Sequence, residues 1–194
     1  LIYKNKLYLK NLYLIKMNYL IILCFAAFAT SALCQVPTPC TTPPQWEARY
    51  FEYDVNQKET TRARIRYDAT YQRERIIEEY KLGAEDDFYD ILYLHNQNIE
   101  YVFNLNTKEC EKRPITRPWV NFGIPSNATF LGESYIGSSA VPNANLLATI
   151  WSKDFQDEKG NKINYLGVWT YEACLPISSH VTSTDLNVDR HSSF

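Results

Sequence analysis

Apolar and polar residues alternate with a period of two through most of this chain from residue 46 onward. The clearest example is the segment Arg62-Ala63-Arg64-Ile65-Arg66-Tyr67. Successive side chains of a β-strand point to opposite faces, so this pattern predicts a strand with one apolar and one cationic face. A helix, with 3.6 residues per turn, would not separate the two sets in this way.

Other segments extend the pattern. Residues 99–105 and 163–171 alternate in the same manner, and residues 88–94 are predicted to form a strand buried on both faces. The polar stretches 95–98 and 157–161 are typical of hairpin connections. Residues 72–80 form the one helical candidate, for which a strand is an equal alternative.

Prolines mark the segments that should not be regular strands. Residues 36–44 contain four prolines, which predicts an extended lead-in, and residues 111–145 are predicted to form long loops that cross between sheets. The sequence therefore predicts an all-β domain of antiparallel hairpins and meanders, arranged as a sandwich or an open barrel.

The N-terminal region has the features of a secretory signal. Residues 20–29 are an unbroken apolar run, too short to span a bilayer, and Ala32 and Cys34 are small residues at −3 and −1 from a cut before Gln35. Met17 is placed to be the initiator. We therefore expect residues 1–16 to be an untranslated upstream segment, 17–34 a signal peptide and 35–194 the mature domain of a secreted or lumenal protein.

Charge excludes one class of partner. The 160 residues after the predicted signal carry 16 basic and 22 acidic side chains, a net charge of −6 with histidines neutral. A non-specific nucleic-acid binder needs a basic face, so nucleic acid is not an expected partner. No stretch after residue 34 is apolar for the ~18 residues that a membrane-spanning helix needs.

The predicted mature domain keeps Cys40, Cys110 and Cys174, an odd number for an oxidising compartment. An intermolecular bond, a free thiol or a partner missing from the sequence would each explain this, and we favour a missing C-terminal end. Asn127 begins the sequon Asn127-Ala128-Thr129, and glycosylation is expected there.

Catalytic motifs are largely missing. His95, His180 and His191 lie far apart in the sequence, outside any familiar metal-ligand spacing, and are interpreted as surface or hairpin residues. No CxxC motif occurs, and the segment Gly132–Gly137 misses the GxSxG pattern by one position. A non-enzymatic function is predicted, with a hydrolase as a remote alternative.

The densest group of acids is Glu85 with Asp86, Asp87 and Asp90. Calcium prefers several carboxylate oxygens, so the three aspartates are candidate calcium ligands, although the EF-hand spacing is absent. A solvated turn before a strand is the alternative. The arginines of segment 62–66 are interpreted as residues of the solvent-exposed face of a strand, where they pair with nearby acids. The alternative is that they form a strip that binds anions.

Several segments together resemble the ependymin-related family. The resemblance covers residue 39 to the end and rests on an ordered set of segments: Pro39-Cys40, Pro44-Gln45-Trp46-Glu47, Arg66-Tyr67-Asp68, Thr107-Lys108-Glu109-Cys110, Thr116-Arg117-Pro118-Trp119, Ile124-Pro125, Asn127-Ala128-Thr129-Phe130, Tyr135-Ile136-Gly137, Trp151 and Glu172-Ala173-Cys174-Leu175-Pro176.

The resemblance implies two stacked antiparallel sheets that enclose an apolar pocket, a shape similar to bacterial lipoprotein carriers. It implies a secreted or lysosomal glycoprotein of a family whose members are often homodimers, with roles in lipid binding, calcium binding and cell–matrix adhesion. It also implies that Cys40 pairs with Cys174, and that the partner of Cys110 lies beyond Phe194.

Two functions follow as hypotheses. The first is a carrier of a hydrophobic or lipid-like ligand, suggested by aromatic residues at alternating strand positions, with the alternative that they simply fill the core. The proposed pocket residues are Phe88, Tyr101, Phe103, Tyr165, Trp169 and Tyr171. The second is a calcium-binding extracellular protein in cell–matrix adhesion.

Overall fold

The computed structural model describes residues 16–19, 37–82, 85–138, 140–141, 144–157 and 159–194. Of the predicted signal peptide only residues 17–19 are described, within a single helical turn, and the predicted cleavage site lies outside the described residues. Pro39–Phe194 form one compact unit. Among the described residues, no helix is long and apolar enough to cross a membrane.

The described residues of this unit form eleven strands, and the alternation predicts several of them. They are β1 (Gln45–Asp54), β2 (Glu59–Asp68), β3 (Arg73–Leu82), β4 (Glu85–Leu94), β5 (Ile99–Asn104), β6 (Cys110–Pro114), β7 (Thr129–Gly137), β8 (Asn145–Gln156), β9 (Lys162–Thr170), β10 (Pro176–Ser183) and β11 (Val188–Ser193). A short 3₁₀ turn, His95–Gln97, joins β4 to β5. The all-β antiparallel prediction is confirmed.

All eleven strands belong to one sheet, in the order β6-β5-β4-β3-β2-β1-β11-β10-β9-β8-β7. The sheet consists of two meanders, β1–β6 and β7–β11, in each of which strands that are consecutive in sequence pair with each other. The two meanders meet where β1 pairs with β11. The sheet is not closed into a barrel, because β6 and β7 are its two edges. Residues 115–128 connect these two edges, so this segment has to cross the width of the sheet.

The two faces of the sheet differ. Residues directly opposite each other on paired strands share a face, so the strand register shows on which face of the sheet each side chain lies. We call the face with Trp46, Tyr67 and Trp169 the covered face, because the 115–128 segment packs on it. The Phe122 ring lies 5.2 Å from that of Trp46 and 5.7 Å from that of Trp169.

The opposite face, which we call the open face, carries Phe51, Arg62 and His191. The predicted alternation of β2 is confirmed, since Ala63, Ile65 and Tyr67 are buried on the covered face.

A disulfide holds the crossing segment in place. Cys40 is bonded to Cys174, with Cα atoms 6.1 Å apart, which confirms the pairing that the family resemblance implies. The extended lead-in around Cys40 runs beside the crossing segment: the Ile124 N–H donates to the Cys40 carbonyl, and the Thr42 N–H donates to the Phe122 carbonyl, both at 2.9 Å. Gly123 is required there, because a Cβ would lie 2.6 Å from the Cys40 oxygen.

Two sequence predictions need correction, and one choice left open is decided. Residues 111–145 are not all loop, because β7 and most of β6 lie within them and the crossing segment is confined to 115–128. Residues 72–80 fall mainly in β3, so the strand alternative is confirmed. Phe88 is 37 % exposed, so β4 is not buried on both faces.

Candidate functional site on the open face

Two apolar hollows meet on the open face near the centre of the sheet. One, of about 510 Å³, is lined by Phe51, Ile77 and Phe88 together with arginine side chains. The other, of about 440 Å³, is lined by Phe51, Leu166 and Val168 and by two histidines. Phe51 and Ser193 belong to both hollows, so the two form one groove, which we call the central groove.

Large apolar side chains are unusually exposed in the central groove. Phe51 is 44 %, Tyr53 38 % and Leu166 38 % exposed. A row of exposed apolar residues on one sheet face is a typical sign of a ligand or partner surface. The size of each hollow is within the range of small-molecule sites, which is ~300–1,000 Å³.

Arg62 and Arg64 border the groove on the β1–β2 side, and Arg66 follows them on the same face of β2. Arg62 lies 3.6 Å from a Glu79 carboxylate oxygen, and Arg64 and Arg66 lie 2.9 and 3.3 Å from Glu47. The Arg64 hydrogen bond holds the pKa of Glu47 below its ordinary value. The prediction that these arginines are paired with nearby acids on a wet strand face is confirmed.

Arg49 differs from these three. It lines the central groove, and it makes no salt bridge within the part of the chain that the structure describes. Its guanidinium group is therefore available to an anionic ligand.

The six residues proposed for the ligand pocket do not converge. The register places Phe88, Tyr101 and Phe103 on the open face of β4 and β5. Tyr165 and Trp169 lie on the covered face, in a hollow of only about 180 Å³ beneath Phe122. Tyr171 follows β9 and is 50 % exposed. Phe88 is thus the one member of the set that lines the central groove.

The Trp169 indole N–H donates a 2.9 Å hydrogen bond to the Tyr165 hydroxyl. These two side chains form part of the packing between β9 and the crossing segment, as the core-filling alternative describes.

The three aspartates considered for calcium are also separated. Asp87 faces the covered side, whereas Asp86 and Asp90 face the open side. Asp86 lies 3.1 Å from Lys81, and Asp90 lies 2.5 Å from Arg75. Strand alternation and these two ion pairs prevent the three carboxylates from forming one ligand set, which corrects the prediction.

Comparison with known proteins identifies the family of this chain. The ependymin family model matches residues 83–194, which is more than half of the chain. This chain belongs to the ependymin family. The resemblance noted in the sequence is therefore confirmed.

Two relatives illustrate the similarity. The chain is 30 % identical over 142 residues to mammalian ependymin-related protein 1 of Rattus norvegicus, covering 73 % of this chain and 61 % of that protein. It is 24 % identical over 123 residues to ependymin-2 of Oncorhynchus mykiss, covering 63 % and 54 %. The chain thus spans less than two thirds of the length of these curated relatives.

A solved structure of an uncharacterized conserved protein from Thermus thermophilus aligns with 77 % of this chain and 74 % of its own, at 12 % identity and a TM-score of 0.44. We draw no conclusion from a similarity at this level.

Two further predicted sites of this ependymin-family chain are exposed. Asn127 lies in the turn just before β7, where a glycosylating enzyme could reach it, and glycosylation there remains a prediction. Cys110 begins the edge strand β6, is exposed, and forms no disulfide with a described residue. The expectation of a partner beyond Phe194 also remains a prediction.

Two histidines of this ependymin-family chain lie next to each other, which was not predicted from the sequence. His180 and His191 are not separated in space: they lie directly opposite each other on β10 and β11, with ring centroids 3.9 Å apart. The four-residue turn at 184–187 could have shown this, because residues equidistant from a hairpin turn pair across it.

A carboxylate on the covered face should make the stability of the fold depend on pH. Burial raises the pKa of Glu78 above its ordinary value of 4.5, and Glu52 and Glu59 raise it further. A raised folded-state pKa means that ionised Glu78 destabilises the fold. This cost is absent below the unfolded pKa, appears as the pH rises toward the folded pKa, and is complete above it.

We therefore expect Glu78→Gln to stabilise the protein at pH 7 and to have little effect at pH 3.5, because both side chains are then neutral. Urea unfolding at the two pH values measures this difference. Glu133→Gln, an exposed carboxylate change on β7, is the control and should show no such pH dependence. A Glu78→Gln effect that is equal at both pH values would contradict the prediction.

Proposed function

We propose that this ependymin-family protein is a secreted or lysosomal, non-catalytic glycoprotein that binds an anionic lipid-like ligand in the central groove. The observation that carries the proposal is the continuous apolar groove, joined at Phe51, with a guanidinium group of Arg49 at its side. The chain of a fatty acid would lie along the apolar floor, and its carboxylate would pair with Arg49.

Energetics support a modest affinity. Full burial of ~14 methylene groups would gain about 11 kcal/mol, and an open groove covers roughly half of that surface. A charge-assisted hydrogen bond to an arginine adds ~1.5–3 kcal/mol. Association costs ~4–15 kcal/mol against this sum. The most favourable combination of these values leaves about 4.5 kcal/mol, so we expect a dissociation constant of about 0.5 mM at best, with a clear dependence on both the chain and the headgroup.

Replacing Phe51 tests the groove itself. Phe51→Ser removes the side chain shared by both hollows, and we expect fatty-acid affinity to fall by about fivefold, corresponding to the loss of ~1 kcal/mol of half-covered aromatic contact. Titration with a fluorescent fatty acid measures the change. Phe155→Ser is a matched control, because Phe155 is similarly exposed, at 42 %, but lies on the covered face.

Arg49→Gln tests the headgroup contact. It should weaken binding of a fatty acid but leave binding of the corresponding uncharged alcohol unchanged, because only the acid can form the ion pair. Native mass spectrometry of protein from a eukaryotic host would show whether a lipid is retained. Equal fatty-acid affinity of wild type and Phe51→Ser, or the lack of saturable binding, would refute the proposal.

A further inference from the structure

Two histidines and an aspartate converge on the open face, on β10 and β11. Asp189 precedes His191 by two residues and therefore shares its face, as does His180 across the strand pair. The Nε2 atoms of His180 and His191 lie 2.7 and 3.4 Å from the same Asp189 oxygen, Oδ1. We propose that these three side chains bind a divalent transition-metal ion, and that Zn²⁺ suits them best.

The chemistry of the donor atoms supports a metal ion. Two imidazole nitrogens and a carboxylate oxygen can each donate a lone pair to a cation, and an ion bound among them would replace the hydrogen bond that joins His180 to Asp189. A set of two histidines and one carboxylate is a known ligand set of catalytic zinc sites. Calcium is not expected, because it takes six to eight oxygen ligands.

The spacing of the donors is close to what zinc requires. Zn–N and Zn–O bonds of ~2.0–2.1 Å in a tetrahedron place the donor atoms ~3.3–3.4 Å apart. The His191–Asp189 distance of 3.4 Å already matches this value. His180 forms a 2.7 Å hydrogen bond with Asp189, and a small side-chain rotation would open that contact to admit the ion. The candidate donor atoms all lie within 4.8 Å of one another.

The backbone holds the three positions firmly. β10 and β11 are internal strands: Leu166 of β9 lies opposite His180, and Tyr53 of β1 lies opposite His191. A site fixed by strand register requires little ordering when the metal binds, which favours affinity. The side chains of His180, Asp189 and His191 are 36 %, 33 % and 53 % exposed, so an ion can enter from solvent.

Three protein ligands leave a fourth position for water or another donor. His180 and His191 both line the hollow of about 440 Å³, so this position lies at the central groove. The metal site goes beyond the proposed lipid binding, and neither proposal requires the other. The test below measures metal binding without any lipid.

Isothermal titration of the tag-free full chain with Zn²⁺ tests the proposal. A Cys110→Ser background removes the exposed thiol of the described residues, a competing zinc ligand outside the cluster. We expect one ion per chain, and at least a tenfold loss of affinity in His180→Ala, in His191→Ala and in Asp189→Asn. His95→Ala is the matched control and should bind like the parent, because His95 lies in the turn between β4 and β5.

Two measurements on the parent protein do not depend on how the variants fold. In NMR spectra, Zn²⁺ should shift the ring signals of His180 and His191 and leave those of His95 in place. Calcium at millimolar concentration should not displace the zinc. A parent that does not bind Zn²⁺, a shift at His95 instead of the pair, displacement by calcium, or unchanged affinity in the three cluster variants would each overturn the proposal.

Discussion

Replacing Cys40 and Cys174 together by serine is expected to lower the free energy of unfolding by about 5 kcal/mol, the chain-entropy value for a loop of ~135 residues. The bond joins residues 134 apart in sequence and closes a loop that contains most of the strands. Small domains have total stabilities of ~5–15 kcal/mol, so the variant should be close to unfolding at 37 °C.

The loss of local stability should be largest where the lead-in meets the crossing segment. Without the bond, the hydrogen bonds of Cys40 and Thr42 to the crossing segment depend on a free chain end. Hydrogen exchange of the Ile124 amide should therefore increase more than that of amides in β2.

Urea unfolding of the double variant measures the total effect, and Cys110→Ser is the control, since that exposed thiol forms no disulfide with a described residue. A loss below about 1 kcal/mol, well under the usual 2–5 kcal/mol for a native disulfide, would show that the bond does not stabilise this fold.

The second large effect is expected for Trp151→Ala, with a loss of about 3–5 kcal/mol, the usual range for a buried aromatic residue replaced by alanine. Trp151 is only 2 % exposed, and its ring packs 5.3 Å from that of Phe130. Its indole N–H donates a 2.9 Å hydrogen bond to the Thr149 hydroxyl, which the substitution would leave without its donor. The buried cluster also contains Trp169 and Cys174, so a cavity would form next to the disulfide.

Thermal unfolding of Trp151→Ala measures this loss. Phe155→Ala is a matched control, because it removes an aromatic ring from the same strand and the same face but at a position that is 42 % exposed. We expect a much smaller effect there. Equal losses in the two variants would mean that the cluster around Trp151 contributes nothing beyond ordinary surface packing.

Local patterns in the sequence were enough to predict the strands in which apolar and polar residues alternate. Residues 62–67 alternate cleanly because one face of β2 is buried and the other is exposed to solvent. Residues 95–98 form the predicted connection between β4 and β5. The 72–80 segment was ambiguous because its apolar pair, Ile76 and Ile77, occupies both faces of β3. Its half-buried Glu74 and Glu78 are charged and do not resemble residues of a covered strand face.

Relations between distant strands could not be predicted in this way. Phe88 and Phe103 lie on the same face because β4 and β5 form one hairpin. Whether Trp169 shares that face depends on six further strand pairings and on a register shift between Pro176 and Ser178. Any single error of one residue in that series would exchange the faces. The aromatic set was therefore divided between the two sides of the sheet.

The histidine pair was missed for a more local reason. Without a predicted hairpin at 176–193, an eleven-residue separation in sequence looked large, although the turn at 184–187 makes these residues neighbours. Polar residues such as Ser178, Ser179 and Ser192 gave β10 and β11 little apolar alternation from which to recognise them.

The pairing of β1 with β11 has a consequence for biosynthesis. The two meanders can each form from neighbouring segments, but the seam between them cannot form until residue 193 has left the ribosome. Until then β1 presents an unpaired edge to other nascent chains, which is a hazard for misassembly. A chaperone that shields this edge during synthesis would therefore increase the yield of correctly folded protein.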